Sequence, residues 1–220
     1  MPKSFHRDRF FWVVALQTAI VNFYLGGFGP AQSLLRADQG TSLTIAGLHG
    51  TAMGVASILA GWANPRIAHK YGRSKASWIG LSIFIVGLTL FVVSPPVYIT
   101  LPATLITGFG VSVVINTMLT KMSSHYGKAA EIAIPQANGI ASAGFVTGTA
   151  LIGTIAIAYP NLWRLGLLLA LPVALILFLV GREKEEEEHV PDEEGPQGGK
   201  LSRKFWISWV GFVACISSEF

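Results

Sequence analysis

Apolar residues run through this chain in blocks of about twenty, each closed by a short polar or proline-bearing link. The blocks cover residues 10–30 (FFWVVALQTAIVNFYLGGFGP), 42–64, 76–94, 97–119, 132–159 and 162–180, and a seventh begins near residue 205 and runs to residue 220. A helix rises about 1.5 Å per residue, so about 20 apolar residues cross the roughly 30 Å hydrocarbon core of a bilayer. Pro95-Pro96 closes the third block and Pro160 the fifth. One such block alone would also suit a buried core helix or a signal peptide. Six in succession do not, and the first is too long for the apolar stretch of a signal and lacks a small-residue cleavage site. The pattern predicts an all-α membrane protein. Residues 1–181 are expected to form a six-helix transmembrane bundle, residues 182–204 a charged linker, and residues 205–220 a truncated seventh span.

Charge sharpens this picture. Of 220 residues, 51% are hydrophobic and 13% charged, against roughly 25% charged in an ordinary soluble domain. The greasy pattern is broken by a knot of basic or potentially basic side chains, Arg66, His69, Lys70, Arg73 and Lys75. With the links numbered alternately from the N-terminal tail, 14 of the 16 lysines and arginines fall on one side, and only Arg36 and Arg164 fall on the other. The positive-inside rule then places the N-terminus in the cytoplasm of a cell whose (inner) membrane holds the bundle. The rule explains the knot without a nucleic-acid partner. The linker REKEEEEHVPDEEGPQGGKLSRK has four consecutive glutamates and no apolar period, the signature of a solvated tether. The one cysteine, Cys215, allows no disulfide within the chain.

Small residues predict how the helices meet. In the second block Gly50, Gly54, Ser57 and Gly61 recur at helical spacing, and the fifth block carries Gly144 and Gly148. Small side chains let backbones close up in lipid, where no hydrophobic force drives helices together. The four-member stripe is the stronger signal, because one glycine pair among 24 glycines says little.

The link between the second and third blocks resembles a motif of the major facilitator superfamily, G-x-x-x-D-R/K-x-G-R-R/K. Lys70, Gly72 and Arg73 fall on that motif and Lys75 follows one position later, whereas Pro65 stands at its first glycine and His69 at its acid. The stretch after the first block (GPAQSLLRADQGTSLTIAGLHGTAMGVAS), Trp163-Arg164 before the sixth, and a charged linker after six blocks are also similar to the family's layout. The resemblance implies a secondary transporter built from two six-helix halves, of which this chain would supply one. Gly72 suits a tight turn, and Arg73 and Lys75 suit an anionic membrane surface. The family's gating acid has no counterpart at His69. Thr149 replaces the proline of the family's antiporter motif, so antiport is not implied.

The same resemblance makes polar residues of the first and fourth spans candidate lining for a substrate cavity: Gln17, Tyr24, Ser112 and Asn116, with Asn22 off to one side and Asn138 on the fifth span. The competing role for each is hydrogen bonding between helices, and for the serines that role is favoured. His49 reads as an outer-rim residue. Glu219 is the one acid deep in a block, and a carboxylate at depth usually marks an ion path, which makes it the proton-coupling candidate. The expected function is secondary transport of a small, neutral or weakly polar solute. The partners would be the lipid bilayer, the solute, and a missing C-terminal six-helix half or a second copy of the chain. The alternative is a truncated membrane scaffold or regulatory fragment that transports nothing. No zinc-protease, nucleophile-elbow or phosphate-loop motif occurs in the sequence, so neither an enzyme nor a cofactor or metal is expected.

Overall fold

Asp8 starts the first helix by accepting the Phe11 amide on its carboxylate at 2.9 Å, satisfying a donor that the helix itself leaves open. The computed structural model that contains this cap describes residues 6–93, 96–181, 202–203, 206–207 and 210–211. Helix α1 spans Arg9–Gln39 and ends at Gly40, whose φ of 60° is left-handed, a conformation glycine adopts without strain. Ser42 caps α2 (Leu43–Tyr71) through the Ile45 amide. A single residue, Gly72 at φ 83°, turns the chain into α3 (Arg73–Val93). Helix α4 (Val97–Tyr126) gives way at Gly127 to a 3-10 turn, Gly127–Ala129, and then to α5 (Ala130–Ala158). A second 3-10 turn, Pro160–Leu162, leads to α6 (Trp163–Leu168) and α7 (Ala170–Gly181). The break at Leu169 follows from Pro172, which has no N–H to offer the Leu168 carbonyl four residues back.

Among the described residues, five helical segments are long and apolar enough to cross a membrane: Arg9–Gln39, Leu43–Tyr71, Arg73–Val93, Val97–Ala158 and Pro160–Gly181. The sequence pattern predicts six. The difference lies in the fourth segment, whose 62 residues take in α4, the 3-10 turn and α5 without a non-helical break, although the junction itself carries Lys121, His125, Lys128 and Glu131. Contacts give the directions within it. Asp8 at the start of α1 touches His125 at the end of α4, and Gln39 at the end of α1 touches Thr100 near the start of α4. Arg7 meets Gln136 early in α5, and Gly26 meets Thr149 further along it. Helices α1 and α5 therefore run the same way and α4 runs against them.

The chain divides into two units, Met1–His189 and Val190–Phe220. In the first, α1 packs most on α5, while α4 takes α3 on one side and α2 on the other. Its main core gathers aromatic edges: Tyr24 lies 5.6 Å from both Phe28 and Phe84, and Phe91 lies 6.3 Å from Trp163. A smaller core of Phe11, Val14, Met118, Met122 and Ala137 sits toward the N-terminal end. In the second unit Arg203, Trp206, Ile207, Val210 and Gly211 are helical, and the Trp206 amide donates to the Ser202 carbonyl at 3.3 Å. Most of the predicted linker and seventh span, with Cys215 and the proton-coupling candidate Glu219, lies outside the described residues.

Candidate functional site

Close packing runs along two seams: α3 on α4, where a Cβ on Gly110 would strike the Phe84 amide and one on Gly87 the Thr107 amide, and α1 on α5. A Cβ on Gly144 would strike the Ala19 carbonyl, one on Gly148 the Phe23 carbonyl, and one on Gly26 the Phe145 carbonyl. Pro30 inside α1 leaves the Gly26 carbonyl without its helical donor. Thr149 of α5 fills that gap: its hydroxyl lies 2.9 Å from the Gly26 carbonyl and 3.1 Å from the Phe145 carbonyl of its own helix. The threonine that stands where the family's antiporter motif has proline thus repairs a defect that another proline makes.

The stripe on α2 behaves differently from the expectation. Gly54 and Gly61 face open space, and Gly50 has only Gln32 Nε2 near it, at 3.8 Å from where a Cβ would stand. The face of α2 that is buried carries His49, Ala56, Ala60 and Asn64 instead. Alanine methyls pack against α4, where Gly108 leaves room for Ala56 and Met53, and the glycines turn outward. Ser57 shares this edge and lies 2.9 Å from Ser112 across to α4.

The cavity candidates separate into three groups. Tyr24 is fully buried among Phe28, Phe84 and Phe91. Its ring belongs to the aromatic core of the bundle. Gln17 is 1% exposed, and its Nε2 has no hydrogen-bond partner among the described residues. Asn22 is half-buried and donates to the Thr18 carbonyl at 2.9 Å. Ser112 and Asn116 are half-buried on α4, and Asn138 is exposed on α5. One turn beyond Ser112, Thr117 lies 3.2 Å from Asn64, so the α2–α4 seam carries two polar crossings.

The basic turn between α2 and α3 is mostly exposed. His69, Lys70 and Lys75 face solvent, while Gly72 and Arg73 are half-buried. Arg66 lays its guanidinium over the Trp62 ring at 4.0 Å and donates to the Trp62 carbonyl at 3.0 Å. Nearby, Lys121 of α4 is 2% exposed and donates to Ser74 and Ser77 of α3 at 3.1 and 3.3 Å.

Two clamps that the sequence pattern did not single out close the ends of the bundle. At the N-terminal end, Asp8 accepts from the Tyr126 hydroxyl at 2.5 Å and lies 3.1 Å from His125 Nε2. Phe10 stacks on the His125 ring at 4.0 Å. Burial works to raise the Asp8 carboxyl. The hydrogen bonds from Tyr126, the Phe11 amide and His125, together with the His125 charge, outweigh burial and hold it below the ordinary carboxylate value. At the far end, Asp38 accepts from Trp163 Nε1 at 3.0 Å and pairs with Arg164 at 2.9 Å. Thr100 there accepts from Gln39 at 3.0 Å and lies 2.9 Å from Nε2 of the buried His49. The cap signature of Asp8 before an apolar run, and the scarcity of charge around Asp38 and Arg164, were the available sequence signals.

The profile of the family described as Major Facilitator Superfamily matches residues 11–219. No curated protein matches the chain.

Proposed function

Because this chain belongs to the Major Facilitator Superfamily, a family of membrane transporters, we propose that it is one six-helix unit of a secondary transporter for a small, neutral or weakly polar solute. The family match carries this reading. The 62-residue segment Val97–Ala158 then folds back at Gly127 and crosses twice, which makes six crossings in all. The N-terminus and the Arg66–Lys75 turn lie in the cytoplasm. The open glycine face of α2 receives a second six-helix unit, on whichever polypeptide that unit is carried, and alternating access is the rocking of one unit against the other.

The solute path runs along the seam of α1, α2, α4 and α5. Gln17, Asn116 and Asn138 contact solute, with Asn22 and Ser112 at its margin. Two observations support this: the unpaired Gln17 amide, a donor whose buried, unmatched state asks for a partner, and the absence of any lysine or arginine among these candidates, which argues against a strongly anionic solute. Glu219 is proposed to bind a coupling proton.

The test is solute uptake into proteoliposomes made from the complete open reading frame. Gln17→Ala and Asn116→Ala are expected to lower uptake at unchanged protein level, and Glu219→Gln to abolish its dependence on a proton gradient. Folded protein that moves no solute in a broad screen would favour the scaffold role.

A further inference from the structure

We infer that the Asp8–His125 contact is a pH-sensitive latch. It fastens the start of α1 to the end of α4 and tightens when His125 takes up a proton from the water on the N-terminal side. The imidazole sits between two groups that both favour a cation. The Phe10 ring stacks on it at 4.0 Å with an interplanar angle of 20°, and Asp8 Oδ2 lies 3.1 Å from its Nε2. A positive charge is attracted by an aromatic face and gains a charge-assisted hydrogen bond from a carboxylate. The side chains of His125 and Asp8 are 41% and 44% exposed, so water can deliver the proton.

Imidazole is the side chain that ordinarily changes charge between about pH 5 and 8. Asp8 stays ionised throughout that range, because it also accepts from Tyr126 and from the Phe11 amide. Among the described residues, the charged and titratable groups on the elements meeting here are His6, whose backbone carbonyl accepts from the Asp8 amide, Arg7, Asp8 and Arg9 at the start of α1, Lys121 and Tyr126 on α4, Lys128 in the 3-10 turn and Glu131 at the start of α5. Arg7 is engaged with Gln136 at 2.8 Å and Arg9 with the Val180 carbonyl. Lys121 lies 5.4 Å from the Phe10 ring and opposes a second cation there. Asp8, in direct contact, favours it.

The consequence reaches beyond the pair. Helix α1 is the one that grips α5 through its glycines, so fastening its first turn to α4 joins three helices at one end. Acidification on that side stiffens that end of the bundle. The device needs no solute and no assumption about which compartment the N-terminus faces.

The test is hydrogen exchange of the peptide covering residues 8–14, measured on the full chain in lipid nanodiscs at pH 5.5, 6.5 and 7.5 and corrected for intrinsic exchange. Protection in the wild type is expected to rise several-fold from pH 7.5 to 5.5. His125→Gln, which keeps a hydrogen bond without the charge, should stay flat at the low-protection level. His125→Arg, charged at every pH, should stay flat at the high level. A wild type without pH dependence, or a His125→Gln protein that keeps it, would overturn the latch.

Discussion

Two helix faces in this protein carry glycines at nearly the same spacing and do opposite things. On α5, Gly144 and Gly148 bring the backbone against Ala19 and Phe23 so closely that no Cβ fits. On α2, Gly54 and Gly61 meet nothing within 4 Å. The difference teaches that a small-residue stripe records a permitted close approach and not the partner that makes it. Within this chain the partner of α5 is α1. The α2 glycines are left for the second unit that the proposed transport cycle requires.

The largest expected effect comes from placing the same side chain on both faces. Gly148→Leu should destabilise the bundle at the top of the roughly 1–3 kcal/mol typical of overpacking, read as a lowered thermal midpoint in detergent. Gly54→Leu should stay within about 0.5 kcal/mol. Equal losses at the two sites would erase the contrast.

A smaller effect concerns the bond that accompanies the α5 contact. Thr149→Val should cost about 0.6 kcal/mol, the average for interhelical hydrogen bonds in membranes, and Thr149→Ser should cost less. In a Pro30→Ala background the helix can supply its own donor to Gly26, so the Thr149→Val cost should shrink. A double-mutant cycle on these two positions measures that coupling directly.

The polar seam between α2 and α4 offers a comparison of similar size. Coupling between Ser57→Ala and Ser112→Ala should be about 0.6 kcal/mol, because both sites stay half-open to their surroundings. At the N-terminal clamp the sign follows from the lowered Asp8 carboxyl. Its stabilising contribution is complete above the ordinary value of 3.8 and is lost as pH falls through the lowered one. Thermal midpoints should therefore fall on the acid side in the wild type, with a shallower slope in Asp8→Asn. An unchanged slope in that variant would place the acid sensitivity elsewhere.

How far the sequence foretold this molecule depends on the range of each interaction. The helices and the glycine turn at Gly72 were legible because each is decided by a few adjacent residues, whereas the caps at Asp8 and Ser42 were not singled out. Which way α2 faces was not legible, since its glycine and alanine stripes compete for α4 and only the fit at Gly108 decides between them. Helical spacing puts Tyr24 on the face of Gln17, while the Phe84 and Phe91 rings of α3 that surround it come from far along the chain. The clamps join residues more than a hundred positions apart, such as Asp8 with His125 and Asp38 with Trp163, and local periodicity carries no trace of them. The sequence separates the fourth and fifth blocks by the polar link at residues 120–131, whereas in the structure the 3-10 turn Gly127–Ala129 carries the helical run across that link and joins them in one segment.

That turn also decides the topology on which the proposed function rests. Single cysteines at Tyr98, Lys75 and Lys128, introduced with Cys215 replaced by serine, can be probed on intact cells with a membrane-impermeant maleimide. The account predicts labelling of Tyr98→Cys from outside, and of Lys75→Cys and Lys128→Cys only after the membrane is opened. Labelling of Lys128→Cys and Lys75→Cys from opposite sides would contradict it.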